Sequence, residues 1–338
     1  MEVLPAVAAG KDGVPSRRGV HVANTTGSHS AKIPIRWRLK AWWEGYDLEL
    51  HQKESEGTPL DSGEAHHKVR YERPEMRWET ARIALVQEVW GIGLVGPGGE
   101  EAILSLVKPF GLTPAMSLLE LGAGLGGAAR VMADHFGVWV TGLEAETHLA
   151  EAGMELSNMA GLGKKAPVNS FDPEHFELQP KTYDCVFSKE FLFTVEDKDR
   201  LFRMVDLALK DRGQLLFTDF VLAEPKRKTD GLDHWSASEP VTPHPWAMED
   251  YVKALTHYKL DIRITEDITK ETGKQITECW SNYMARVDQA SLDSEAGSVL
   301  VDEVELWTRR VKLMKAGDLK VCRILGVKKP RDGLLSDW

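Results

Sequence analysis

The stretch LLELGAGLGGAAR, residues 118–130, decides the fold. Its first four residues belong to the largely apolar run Ser117–Leu121, which is typical of a buried parallel strand. Three alternating glycines follow, and then a helical pattern over Ala128–His135. Glycines at such a turn let the backbone approach a ligand, while the N–H groups of the helix point at it. The stretch therefore predicts a strand, a ligand-binding turn and a helix.

Strand-like runs and helical patterns alternate along the rest of the chain. Further strands are predicted at Val138–Leu143, Tyr183–Phe187, Gly213–Val221, Leu260–Ile264 and Leu319–Val327. Helices are predicted at Glu75–Trp90, Glu100–Phe110, Thr147–Met159, Lys198–Leu209 and Met248–Tyr258. This alternation indicates βαβ units, and hence an α/β fold with a mostly parallel sheet flanked by helices.

The chain has 338 residues. At roughly 150 residues per domain, that length fits two domains, or one large α/β domain with an extension. We expect a loosely ordered tail over residues 1–30 and a helical region over 31–98, which would act as a lid or an oligomerisation element. Residues 99–338 form the expected main domain, and an insertion over residues 222–250 would cover its ligand site.

Composition excludes several classes of protein. The chain carries 42 basic and 52 acidic residues, a formal charge of −10, which argues against nucleic-acid binding. Its three cysteines have no zinc or disulfide spacing, which favours a reducing compartment, and its histidines lack metal-ligand spacing such as HExxH. No apolar run reaches the length of a membrane span or forms a signal peptide. We therefore expect a cytoplasmic protein without a metal site.

Acidic residues around the glycine turn indicate the ligand. Glu120 lies two residues before the first glycine, Glu144 follows the next predicted strand, and Asp172 lies a loop later beside Phe171. Glu144 can accept hydrogen bonds from two ribose hydroxyls, and Asp172 from an adenine amino group. The GxGxxG spacing alone would also suit a dinucleotide, but so many carboxylates would repel a pyrophosphate. A nucleoside that carries a methionine ammonium and sulfonium fits them better.

These residues carry a resemblance to a family. The sequence resembles class I S-adenosylmethionine-dependent methyltransferases, in particular the phosphoethanolamine and sarcosine/dimethylglycine methyltransferases. The segments that carry the resemblance are VWGIGLVGPGG (89–99), LLELGAGLGGAAR (118–130), VTGLE (140–144), YDCVFSKE (183–190) and LLFTDF (215–220). The resemblance implies a Rossmann-like seven-stranded sheet and S-adenosylmethionine as the cofactor.

The resemblance also implies where the cofactor binds. Glu120 and the glycines would shape the pocket for the methionine end, Glu144 would hold the ribose and Asp172 the adenine. Ser188 would lie near the transferred methyl group. The full set of expected cofactor residues is Glu120, Gly122, Ala123, Gly124, Gly126, Glu144, Ala145, Phe171, Asp172 and Ser188.

The sequence departs from the phosphoethanolamine enzymes at their catalytic pair. A tyrosine and a histidine of that family align with Val86 and Thr194 here, and the aspartate of its YSRD motif aligns with Glu190. We therefore expect no general base, and Glu190, Ser188 and Thr194 would only position the reactants. A thioether sulfur has no proton to lose, whereas a protonated amine needs a base. The departure favours sulfur slightly over nitrogen as the methylated atom.

The expected substrate is a small polar carboxylate, and 4-methylthio-2-hydroxybutyrate on the route to dimethylsulfoniopropionate is one candidate by analogy. N-methylation of a glycine-like or ethanolamine-like amine is the alternative, as is a non-catalytic S-adenosylmethionine-binding regulator. A sulfonium or ammonium product would favour aromatic faces, each worth ~0.5–2 kcal/mol. The candidate substrate contacts are Arg36, Trp37, Trp42, Asp219, His234, Trp235 and Trp246. A homodimer is left open.

Overall fold

The computed structural model describes residues 78–287 and 295–330. The chain divides into two units between residues 67 and 68, and all described residues belong to the second unit. The tail and most of the N-terminal region expected from the sequence therefore lie outside the described residues.

Seven strands form one sheet in the order β3-β2-β1-β4-β5-β7-β6. The strands are β1 (Ser117–Leu121), β2 (Trp139–Glu144), β3 (Val168–Ser170), β4 (Tyr183–Lys189), β5 (Leu209–Leu222), β6 (Leu260–Asp267) and β7 (Leu319–Lys328). Pairing is parallel from β3 through β5, and β7 runs antiparallel to both of its neighbours. The Rossmann-like, mostly parallel seven-stranded sheet predicted from the sequence is confirmed.

Nine α-helices are present in the described part of the chain. They are α1 (Thr80–Trp90), α2 (Gly99–Val107), α3 (Gly127–Phe136), α4 (Thr147–Met159), α5 (Lys198–Ala208), α6 (Asp230–Ser238), α7 (Met248–His257), α8 (Thr269–Met284) and α9 (Glu295–Ala316). Short 3₁₀ turns follow α2 and β4, over Lys108–Phe110 and Leu192–Thr194. No helix among the described residues is long and apolar enough to cross a membrane.

Both faces of the sheet are covered by helices. Because successive side chains of a strand point to opposite sides, neighbouring residues of β1 pack on different faces. Leu118 packs with α2 and α3 residues such as Met132 on one face. Leu119 packs on the other face, with α5 and α7 residues such as Phe202 and Leu255. Strands buried on both faces need continuous apolar runs, which explains why β1 was visible in the sequence.

Helix α1 belongs to the same unit as the sheet. It packs against α8 and α9, where the Trp90 ring lies 5.8 Å from Trp280 and 4.6 Å from Trp307 between ring centroids. The boundary expected at residue 98 therefore falls inside the compact unit, which starts at residue 68. Tryptophans of α1 and α9 are far apart in sequence, so local patterns could not reveal this packing.

Candidate active site

A cavity of about 260 Å³ opens at the carboxyl ends of β1 and β4, where parallel α/β sheets bind ligands. Its floor comes from the turns that follow these two strands, and the segment between α1 and α2 covers it. Helices α1 and α9 and the segment after α6 complete the wall. The lining includes Glu120, Gly122, Ala123, Lys189, Glu190, Phe193, Thr194, Glu239, Glu303, Trp307 and Arg310.

The glycine turn after β1 has the geometry that its sequence predicts. Gly122, Gly124 and Gly126 have positive φ angles of 72°, 54° and 71°, which favour glycine. A Cβ atom on Gly122 would also lie 2.3 Å from the Phe191 side chain. The turn is fixed to β2, because the Gly122 and Ala123 N–H groups both donate to the carbonyl of Leu143, at 2.8 and 3.0 Å.

Glu120 is a buried acid without a full set of partners. Its side chain lines the cavity, and its Oε2 atom makes no hydrogen bond. Burial raises the pKa of Glu120 to about 8, although the Arg130 charge opposes this rise. A carboxyl group with one unbonded oxygen at a cavity wall is a natural partner for an ammonium group.

Glu144 ties the end of β2 to the glycine turn. Its Oε2 atom accepts from the Gly124 N–H at 2.7 Å, and its Oε1 atom accepts from the Glu146 N–H at 2.9 Å. Burial raises the pKa of Glu144, and these backbone hydrogen bonds oppose the rise. The side chain is buried beside the turn and is not part of the cavity wall.

The other residues expected at the cofactor lie at the neighbouring strand ends, outside the cavity. Ala145 follows Glu144, and the Phe171 N–H donates to the Glu144 carbonyl at 3.0 Å. Phe171 packs on Phe191, with ring centroids 6.0 Å apart. The Asp172 carboxylate is exposed and accepts from the Glu174 N–H, which lowers its pKa.

Two expected site residues are buried beneath the cavity rather than in its wall. The Ser188 hydroxyl donates to the carbonyl of Leu121 at 2.9 Å and is fully buried. Asp219 is also fully buried; it accepts from the Phe193 N–H at 3.1 Å and from the Tyr251 hydroxyl at 2.6 Å. These hydrogen bonds satisfy local donors and acceptors, so neither side chain reaches the cavity. Asp219 instead holds the turn that carries Phe193.

Glu190 and Thr194 do line the cavity. Glu190 has a positive φ of 48°, which costs a residue with a side chain roughly 1–2 kcal/mol. Its carboxylate accepts from the Thr218 hydroxyl at 2.9 Å and pairs with Lys189. The Thr194 hydroxyl donates to the Phe191 carbonyl at 2.8 Å. A strained acid at a cavity wall is typical of a functional site.

The insertion contributes different residues from those expected. His234 is exposed, and Trp246 packs in the core against Tyr251, with ring centroids 5.3 Å apart. Trp235 is buried behind the wall, where its ring stacks on Phe193. None of the three lines the cavity, whereas Glu239 does. Arg36, Trp37 and Trp42 lie outside the described residues.

Sequence reasoning missed two arginine–glutamate pairs of the wall, which come from α1, α9 and the segment after α6. Arg310 donates to both carboxylate oxygens of Glu239, at 2.8 and 2.7 Å, and Arg82 pairs with Glu303. Burial would lower the pKa of Arg310, but the Glu239 charge raises it overall. The one available sequence signal was helical spacing in α9, where Glu303, Trp307 and Arg310 share a face.

Chemically, the cavity combines carboxylates, paired cations and aromatic faces. No histidine or tyrosine occurs among its described lining residues, and no cluster suited to a metal occurs in the described part of the chain. The arrangement can hold and orient a small polar molecule beside the glycine turn.

Comparison with known proteins agrees with this geometry. Residues 99–258 match a family model described as a methyltransferase domain. Phosphoethanolamine N-methyltransferase 2 of Caenorhabditis elegans is 29% identical over 251 residues, which cover 74% of this chain and 49% of that protein. The glycine/sarcosine/dimethylglycine N-methyltransferase of Actinopolyspora halophila is 27% identical over 136 residues, 40% of this chain and 24% of that one. This chain thus spans at most about half the length of these two relatives.

A solved structure shows the same fold. Phosphoethanolamine N-methyltransferase 2 of Haemonchus contortus, in complex with S-adenosyl-L-methionine, superposes with a TM-score of 0.67 at 20% identity. The match covers 73% of this chain and 57% of that chain. Residues 99–258 thus match a methyltransferase domain, in a chain that resembles the phosphoethanolamine and sarcosine/dimethylglycine methyltransferases.

Proposed function

We propose that the chain is an S-adenosylmethionine-dependent methyltransferase that methylates a heteroatom of a small polar acceptor. The observation that carries the proposal is the glycine turn inside a matched methyltransferase domain, with a buried carboxyl group on either side of it. Methyl transfer is a displacement at a sulfonium carbon, so the protein mainly has to align two molecules and exclude water.

The residues present fit S-adenosylmethionine. The unpartnered Oε2 atom of Glu120 suits an ammonium group, and the backbone approach allowed by Gly122 suits a ligand packed against the turn. Glu144 would accept from the ribose hydroxyls, and Asp172 with Phe171 would hold the adenine. When bound, S-adenosylmethionine supplies an electrophilic methyl group. The chain's own residues orient it and shield it from water.

Nitrogen is the first candidate for the methylated atom. Both curated relatives described above are N-methyltransferases by name. Glu190 lies in the cavity wall, where its carboxylate could hold an amine acceptor in place. Sulfur, which the sequence favoured, gains no support from these relatives.

A thioether sulfur remains the second candidate because of one observation. The described cavity wall contains no histidine or tyrosine, and Val86, at the position of the family's tyrosine, is buried. A sulfur acceptor needs no base, so this wall would suffice for it.

A turnover screen tests the proposal. The purified chain is incubated with S-adenosylmethionine and a panel of small amines and thioethers, and formation of S-adenosylhomocysteine is followed. We expect formation that depends on one class of acceptor. Binding of S-adenosylmethionine without turnover across the panel would instead support a non-catalytic regulator.

The pH dependence of single turnovers separates nitrogen from sulfur. An amine that binds protonated should react about tenfold faster per pH unit until the amine or its base is titrated. A thioether should give a nearly flat profile between about pH 6.5 and 9. A flat profile with the best amine would contradict proton removal as part of the reaction.

A further inference from the structure

Two buried ion pairs form part of the cavity wall. Arg310 pairs with Glu239 through two hydrogen bonds, and their side chains are only 11% and 3% exposed. Arg82 pairs with Glu303, with exposures of 5% and 2%. All four residues line the cavity. The two arginines of the described wall are therefore neutralised by carboxylates that share their burial.

Neighbouring side chains contact both partners of the Arg310–Glu239 pair. Its guanidinium lies over the rings of Trp307 and Phe220, with its central carbon 4.8 and 5.1 Å from their centroids. Glu239 also accepts from the indole N–H of Trp235. These contacts fix both partners, so Arg310 faces the cavity with its charge already neutralised by Glu239.

The remaining charges of the described wall do not favour an anion either. Lys189 pairs with Glu190, and Glu120 and Glu146 add two further acids. The described lining thus contains three basic side chains and five acidic ones. A phosphate monoester carries between one and two negative charges near neutral pH. In this cavity it would face an acidic wall in which each described basic side chain is already paired with a carboxylate.

Capture of a phosphate by either arginine would either displace the paired carboxylate or place the phosphate beside it as a second anion on one cation. A displaced carboxylate would be buried and uncompensated, which is strongly unfavourable. A phosphate-free acceptor avoids this cost. A neutral, zwitterionic or cationic molecule can also interact with the carboxylate oxygens of Glu239 or Glu303.

On the basis of the proposed function, we infer that Glu239 and Glu303 determine which acceptor binds. By neutralising the wall arginines, they restrict the acceptor to molecules without a phosphate group. The phosphoethanolamine N-methyltransferases resemble this chain in sequence, but the wall described here favours the unphosphorylated class of acceptor.

Binding measurements test this inference without turnover. Phosphoethanolamine, ethanolamine and inorganic phosphate are titrated by calorimetry into the chain, with and without S-adenosylhomocysteine. We expect the unmodified chain to bind phosphoethanolamine no more tightly than ethanolamine. Glu239→Gln frees Arg310 while keeping an acceptor for Trp235, and should bind phosphoethanolamine and phosphate at least tenfold more tightly than the unmodified chain. Glu303→Gln should do the same through Arg82.

Glu305→Gln is the matched control. Glu305 lies on the same helix and pairs with Arg309 at 3.4 Å, but it is half exposed and is not part of the cavity wall. Its removal should leave the phosphate affinity unchanged. Circular dichroism and thermal melting verify that each variant is folded.

Tenfold tighter binding of phosphoethanolamine than of ethanolamine to the unmodified chain would overturn the inference. So would two folded glutamine variants without any gain in phosphate affinity. If neither variant folds, the preference of the unmodified chain decides by itself. Failure of the proposed function would look different, because S-adenosylhomocysteine would not bind or no acceptor would be methylated, whatever the phosphate preference.

Discussion

Binding of S-adenosylmethionine should release a proton from Glu120. Burial raises the pKa of this group from its usual 4.5 to about 8. At pH 7, one unit below that value, about 90% of the unliganded molecules carry the proton. An ammonium group placed against the carboxyl would return its pKa toward the usual value, so the complex would hold the group ionised. We expect net release of most of one proton per site at pH 7, where free S-adenosylmethionine already carries its ammonium. At pH 9 the release should give way to net proton uptake, because Glu120 is already ionised and the α-amino group of the free cofactor must gain a proton.

Calorimetry in buffers of different ionisation enthalpy measures this number. Glu120→Gln removes the titrating carboxyl group, so its binding heat at pH 7 should depend only weakly on the buffer, through the α-amino group of the cofactor. Glu155→Gln, which removes an exposed acid on α4, should behave like the unmodified chain. Proton release of the same size in Glu120→Gln, or none in the unmodified chain at pH 7, would refute the assignment of Glu120 to the ammonium.

The same shift predicts how stability depends on pH. Because the folded pKa of Glu120 lies above its unfolded value, its contribution is fully present below about pH 4.5 and is lost as the pH rises through about 8. The loss is of the order of a few kcal/mol. Urea unfolding at pH 6 and pH 9 should therefore show a smaller decrease in stability for Glu120→Gln than for the unmodified chain.

Glu144→Ala should weaken S-adenosylmethionine binding by ~2 kcal/mol, as expected for hydrogen bonds to a charged group, and unchanged affinity in calorimetry would contradict its role at the ribose. Asp219→Ala should raise the acceptor KM with little change in cofactor affinity, because the Phe193 turn loses its anchor. Tyr251→Phe keeps that anchor and should have a smaller effect, so equal effects would argue against positioning. Deletion of residues 1–67 should preserve cofactor binding but abolish turnover; full activity would exclude acceptor contacts from that region.

Much of the fold could be predicted from the sequence because apolar runs and helical periodicity are properties of short, contiguous segments. Strand β1 and helix α4 begin and end as predicted, since a continuous apolar run and a clear helical period define them. Strand β3 was missed because three residues, Val168–Ser170, form no recognisable run. Strand β5 begins at Leu209 rather than Gly213, beyond an irregularity in its pairing with β4 near Tyr183 that no sequence pattern marks.

The residues of the candidate site likewise fall into those that local sequence patterns predicted and those that they did not. Glu120, Gly122 and Glu190 were found because they belong to contiguous motifs at strand ends. The Arg310–Glu239 pair joins residues 71 positions apart, and Arg82 and Glu303 are 221 positions apart. Their contact depends on how α1, α9 and the insertion pack, which no local spacing encodes. Trp235 and Trp246 were expected at the substrate because aromatic residues suit a cation, but both pack on neighbouring rings instead.

A crystal structure of the chain with S-adenosylmethionine bound would show whether the cofactor occupies this cavity. We expect the ammonium within hydrogen-bond distance of Glu120 and the ribose hydroxyls on Glu144. The sulfonium methyl group should face the cavity walled by Glu190, Trp307 and Arg310. A cofactor bound elsewhere, or with its methyl group turned away from this cavity, would show that these residues do not form the methyl-transfer site.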